Sequence, residues 1–75
     1  MIKVLQYNHS TDSYNVVGGI INNTFYNTKF DVVTTIPKRE ETPLKAFYTK
    51  GFDAEGEVRT ELRVVYESDM VIINL

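Results

Sequence analysis

No cysteine occurs in this sequence, which excludes both a disulfide framework and a thiolate metal site. A chain of 75 residues buries only roughly 60% of the surface that its unfolded form exposes. Without covalent staples, self-association is a natural way to add buried area, and a homo-oligomer is expected. Long apolar runs are missing as well. Nothing approaches the run of about 18 residues that a membrane-spanning helix needs, and the start, Met1 to Asn8, lacks the small-residue cleavage site of a secretory signal. The expectation is one cytoplasmic domain covering residues 1–75, with no membrane association.

There is no excess of positive charge. Eight Lys and Arg stand against ten Asp and Glu, a net charge of −2. Nucleic-acid binders usually display a basic stripe, and here only Lys38-Arg39 approaches one, followed at once by Glu40-Glu41. The acids are not dense enough for a DNA mimic. They are unevenly spread: Met1 to Phe52 holds six basic and four acidic residues, Asp53 to Leu75 two and six.

Catalytic constellations are also lacking. His9 is the single histidine, and its neighbours Ser10, Thr11 and Asp12 are turn formers; sequence neighbours rarely converge as nucleophile, base and orienting acid. Glu40/Glu41 and Glu55/Glu57 read as solvated loop charges, because nothing points to burial that would shift their pKa values. Asp53, Glu55 and Glu57 around Gly56 resemble a calcium loop only superficially, since the twelve-residue ligand pattern is absent. Gly18-Gly19 lacks the further Gly and Lys of a phosphate cradle. No catalytic residue, metal ligand or cofactor is assigned, and the chain reads as non-enzymatic.

What is present is β-structure. Leu44 to Glu67 reads as a hairpin whose tip, Phe52-Asp53-Ala54-Glu55-Gly56-Glu57-Val58, has Asp first and Gly fourth in the turn. Folding there pairs Phe52 with Val58, Tyr48 with Leu62, Ala46 with Val64 and Leu44 with Tyr66, giving an apolar face interrupted only by Lys50 and Thr60. Lys45, Thr49, Arg59, Glu61, Arg63 and Glu67 fall on the reverse, solvated face. Ile2 to Asn8 and Tyr14 to Ile21 read as strands. Gly18-Gly19 marks a bulge, a sharp coil or close approach by another backbone, and Asn22-Asn23 a two-residue turn. Between Tyr26 and Ile36 the even positions, including Phe30 and Val32, form a mostly apolar face and the odd ones a mostly polar face, as in one half-buried strand. Pro37 to Pro43 is a charged surface loop splitting the chain in two, and Met70 to Leu75 is an apolar strand or an unpaired edge.

The fold class is therefore all-β, a small domain of five to six antiparallel strands forming a meander that closes to a barrel or sandwich. A competing reading places a short helix near residues 43–50, from Thr42 as N-cap and Pro43 at the first helical position. That would give β-β-β-α-β-β, an OB-like order.

Function follows by elimination as a protein-binding module that presents a surface or adds a strand. Six Asn and five Tyr with abundant Ile and Lys suggest a phage or mobile-element accessory or inhibitory protein docking on a host protein. The partner-binding candidates are Tyr26, Lys29, Lys38, Arg39, Met70 and Ile72. The alternative is a small-barrel nucleic-acid binder, with aromatics such as Tyr7, Tyr14, Phe25, Tyr26 and Phe30 stacking bases between Lys3, Lys29, Lys38 and Arg39.

Overall fold

The computed structural model describes every residue, Met1–Leu75. It contains seven strands and no helix: β1 (Ile2–Asn8), β2 (Ser13–Ile21), β3 (Thr24–Asn27), β4 (Val32–Thr35), β5 (Lys45–Phe52), β6 (Val58–Val65) and β7 (Met70–Asn74). All lie in one sheet of order β4-β3-β2-β1-β5-β6-β7. Two antiparallel meanders, β1 to β4 and β5 to β7, meet along a parallel seam in which Val4 lies beside Ala46 and Leu5 beside Phe47. The sheet is thus mixed rather than wholly antiparallel. It curls into a half-barrel whose edges β4 and β7 do not pair. The radius of gyration, 12.6 Å, exceeds the about 11 Å of a fully compact chain of this length, as an unclosed sheet requires.

The β5–β6 ladder runs as expected, with Phe52 opposite Val58, Tyr48 opposite Leu62 and Ala46 opposite Val64. Residues 45–52 are strand, so the helix near 43–50 and the OB-like order are set aside. At the far end of this hairpin Phe52 and Val58 are exposed, beyond the reach of the core. At the near end Leu44 donates its N–H to the Val65 carbonyl at 2.8 Å, but its side chain is 63% exposed. It therefore leaves the core face, while Tyr66 stays buried.

The concave side of the sheet is the core. Gly18, Val4, Ala46, Val64 and Val71 form one row across five strands. Phe25 beside Ile20, and Tyr48, Leu62 and Ile73, form others. Val4, Ile20, Phe25, Ile36, Ala46, Leu62, Val64 and Tyr66 are the buried cluster. Burial at these positions follows from the period-two alternation, which sends every second side chain to one face. Gly18-Gly19 serves as expected: β2 bulges at Val17, where the β1 register shifts between Val4 and Leu5. An added Cβ on Gly18 would lie 2.7 Å from Phe25 Cε1 and collide with the Tyr26 carbonyl oxygen.

The stretch Tyr26 to Ile36 is not one strand. It folds back as the β3–β4 hairpin, with Tyr26 opposite Val32 and Phe25 opposite Thr34. Asn27 makes the turn: its carbonyl accepts the Phe30 N–H at 3.0 Å, and its side-chain oxygen accepts the Lys29 and Asp31 N–H groups at 2.9 and 3.0 Å. Phe30 and Val32, expected on an apolar face, stand exposed. Asn22 and Asn23, both at positive φ, close the two-residue β2–β3 turn.

From β4 the chain returns to β5 through residues 36–44. Four strand spacings of about 4.8 Å separate the two strands, a span that nine residues at up to about 3.5 Å each cover easily. Ile36 drops into the core and donates to the Asn23 carbonyl at 2.8 Å. Arg39 then ties the crossover to the β6–β7 turn. Its guanidinium bonds Asp69 and Glu41, each at 2.8 Å, and lies 4.1 Å from the centroid of the Tyr66 ring. Asp69 is the chief cause of the raised Arg39 pKa.

The tip of the β5–β6 hairpin is held by charge. The Asp53 carboxylate accepts Arg59 Nε at 2.9 Å and the backbone N–H groups of Glu57 and Glu55 at 2.9 and 3.0 Å. Arg59 first, and then these N–H groups, lower its pKa below the ordinary 3.8. A carboxylate stabilised in the folded state adds stability that is complete above its unfolded-state pKa and lost as pH falls through the folded one. Asp53→Asn keeps the turn acceptor and loses the charge, so its acid unfolding below about pH 4 is expected to be less steep than wild type when followed by circular dichroism.

Candidate functional site

The convex face of the sheet has no layer over it, yet it is not polar. One row crosses five strands as Val16, Leu5, Phe47, Arg63 and Ile72. Tyr14 beside Tyr7 lies on one side of it, and Lys45, Val65 and Met70 on the other. Val16, Tyr14, Met70 and Ile72 are exposed, and Leu5, Phe47 and Val65 half-buried. The two sides of the parallel seam are thereby joined into one surface: Leu5 and Phe47 are adjacent only because β1 and β5 pair.

The aromatic groups touch. The Tyr7 and Tyr14 centroids are 5.3 Å apart in an edge-to-face arrangement, and Tyr14 and Phe47 are 5.8 Å apart. His9 meets the Tyr7 ring edge-on at 4.7 Å. The Tyr7 hydroxyl donates to the Asp12 carboxylate, and this bond is the main reason that the Tyr7 phenol titrates above 10. These contacts link His9, Tyr7, Tyr14 and Phe47 into one aromatic cluster. Between them opens a cleft of about 270 Å³ lined by Tyr7, Tyr14, Phe47, Arg63, Val65 and Met70. Arg63 lies 3.6 Å from Glu61, and its Nε is buried without a hydrogen-bond partner. Lys45 Nζ stands 5.9 Å from the Phe47 centroid.

The six candidates from the sequence divide into three groups. Met70 and Ile72 project from the edge strand β7 onto this convex face. Tyr26, half-buried between Gly19 and Val32, lies at the opposite end of the same face, with Lys29 exposed at the adjoining turn. Lys38 is exposed in the crossover, while the Arg39 charge is already engaged by Asp69 and Glu41. Reading residue by residue missed Leu5, Val16, Phe47 and Arg63. A signal for Phe47 exists in the sequence, since the hairpin register places it opposite Arg63 on the face that the charges mark as solvated. The acidic trio at the β5–β6 tip is a turn: Asp53 is occupied by Arg59 and backbone N–H groups.

Comparison of the chain with protein-family models, curated proteins and solved structures finds no match. No helix is long and apolar enough to cross a membrane.

Proposed function

We propose that this protein is a non-enzymatic binding module that engages a protein partner through the convex face of its sheet. The observation that carries the reading is the five-strand row from Val16 to Ile72, flanked by Tyr7 and Tyr14, on the face opposite a complete core. Exposed apolar area of this kind, rimmed by charges such as Lys45 and Glu61, marks interaction surfaces. Pre-positioned Tyr and Arg side chains are the residue types that dominate binding energies. An accessory or inhibitory role for a phage or mobile element, docking on a host protein, is the finer form of this reading and draws on amino-acid usage.

One feature favours a second reading. Tyr14, Tyr7 and Phe47 lie near Lys45 and Arg63, an arrangement able to stack bases on a sheet. Nuclease and salt separate the two, because phosphate contacts weaken steeply with salt and an apolar interface does not.

The test is affinity capture with the tagged protein, with and without nuclease, repeated with Ile72→Glu and Tyr14→Ala. Both side chains are exposed, so both variants are expected to melt within a few degrees of wild type. Capture of a nuclease-resistant protein, reduced at least tenfold in both variants, supports the protein-binding reading. Capture that the variants leave unchanged contradicts the convex face as the site, and recovery that depends on nucleic acid moves the assignment to the second reading.

A further inference from the structure

The β3–β4 and β5–β6 turns are the same structure built from different residues. In Asn27-Thr28-Lys29-Phe30-Asp31 the first N–H reaches the fifth carbonyl at 2.9 Å, and the fourth N–H reaches the first carbonyl at 3.0 Å. In Asp53-Ala54-Glu55-Gly56-Glu57 the corresponding distances are both 3.0 Å. Each turn begins with a side-chain oxygen accepting the third and fifth N–H groups. The fourth residue is left-handed in both: Gly56 at φ +79° and Phe30 at φ +65°. Glycine takes that conformation freely, whereas a bulky side chain is strained in it. Phe30 is 77% exposed, so burial within its own chain does not compensate the strain. Strain of this kind concentrates at functional positions.

Beside Phe30 lies a cleft of about 180 Å³ lined by Met1, Val16, Gly19, Ile21 and Tyr26, with Phe30 itself as one wall. Gly19 lies beneath the flexible Met1 side chain, whose Sδ would be 2.8 Å from an added Cβ, with the Ile2 carbonyl at an ordinary 3.5 Å; an entering ring displaces Met1 and no backbone. An apolar space of about 150 Å³ is enough to hold a benzene ring. The residues flanking Phe30 are Lys29 and Asp31, of opposite charge and both without an ion-pair partner.

A patch carrying a ring, a space that fits the ring and one charge of each sign complements itself under two-fold rotation. We infer that a second copy of this chain covers it. Each Phe30 ring enters the cleft over the other copy's Gly19, and each Lys29 faces an Asp31 across the axis. This goes beyond the partner-binding reading, because it uses the β2–β3–β4 end of the convex face; the two surfaces meet at Val16, and Tyr7, Tyr14, Phe47 and Ile72 stay open.

Three proteins test it by sedimentation equilibrium over a wide concentration range. Wild type is expected to approach twice its 8.6 kDa mass as concentration rises. Phe30→Gly, which restores the residue that the sister turn uses, is expected to remain monomeric while melting no lower than monomeric wild type. Gly19→Val keeps the ring and fills the cleft, and is also expected to remain monomeric. An equimolar mixture of the two variants can make one of the two ring-in-cleft contacts, the Phe30 of one entering the open cleft of the other, and is expected to associate more than either variant alone but less than wild type. Wild type that stays monomeric, a Phe30→Gly protein that dimerises normally or melts lower, or a Gly19→Val protein that dimerises as tightly as wild type overturns the inference. Partner capture by Phe30→Gly, read in parallel, reports on the convex-face site separately.

Discussion

Leu62→Ala is expected to cost about 2 to 5 kcal/mol, the range for truncating a fully buried leucine. Leu62 is 0% exposed, lies between Tyr48 and Ile73 in the ladder, and is one of only eight buried side chains in the core. At roughly 0.05 to 0.15 kcal/mol per residue, a chain of this size has a stability of about 4 to 11 kcal/mol. The single truncation therefore removes a large fraction of it and leaves a measurable unfolded population. Urea unfolding checks this: the midpoint falls while the slope is retained. Leu44→Ala is the internal control. Its side chain is 63% exposed, and its cost should stay within about 0.5 kcal/mol. Equal costs at the two positions would refute the β5–β6 register.

Gly18→Ala is expected to be damaging on a similar scale, for the opposite reason. The new methyl meets backbone, at the Tyr26 carbonyl, and the ring of fully packed Phe25. Overpacking costs typically about 1 to 3 kcal/mol where side chains can shift. Here β3 itself must move, so the cost should reach or pass the top of that range. The adjacent Gly19→Ala displaces only the Met1 side chain and should cost little. A thermal melt of the pair resolves the contrast, and a Gly18→Ala protein as stable as Gly19→Ala would refute the close approach of β2 and β3.

The parts of this fold that were legible in the sequence are those encoded by neighbours. The β5–β6 hairpin announced itself through Asp53 and Gly56 and through cross-strand partners that agree over eight rows. Gly18-Gly19 and Asn22-Asn23 each performed what their conformational freedom suggested. The β3–β4 turn was hidden because its left-handed position holds Phe30 instead of glycine, leaving Asn27 as the lone signal inside a stretch that alternates like a strand. The parallel seam was hidden for a different reason. Val4 and Ala46 are far apart in sequence, and no local preference specifies their pairing. The candidate site inherits that difficulty: Tyr14, Leu5, Phe47 and Ile72 become neighbours only once the seam exists. Arg39 illustrates the converse, a charge that looked available and is held by Asp69, Glu41 and the Tyr66 ring.

That seam also bears on how the molecule assembles. Each meander is made of ribbons joined by short turns, which close quickly and at small entropic cost. Neither meander owns a core: Val4, Ile20 and Phe25 come from one, Ala46, Leu62 and Val64 from the other. The encounter of β1 with β5, separated by the rest of the first meander and the proline-bounded crossover, is expected to be the slow step of folding, as non-local pairings generally are, and refolding kinetics of Val4→Ala would show it as a slowed folding arm. Until it succeeds, two half-sheets expose the apolar faces that they will later share. The two meanders are therefore joined by the pairs Val4–Ala46 and Leu5–Phe47 and by the one core they share.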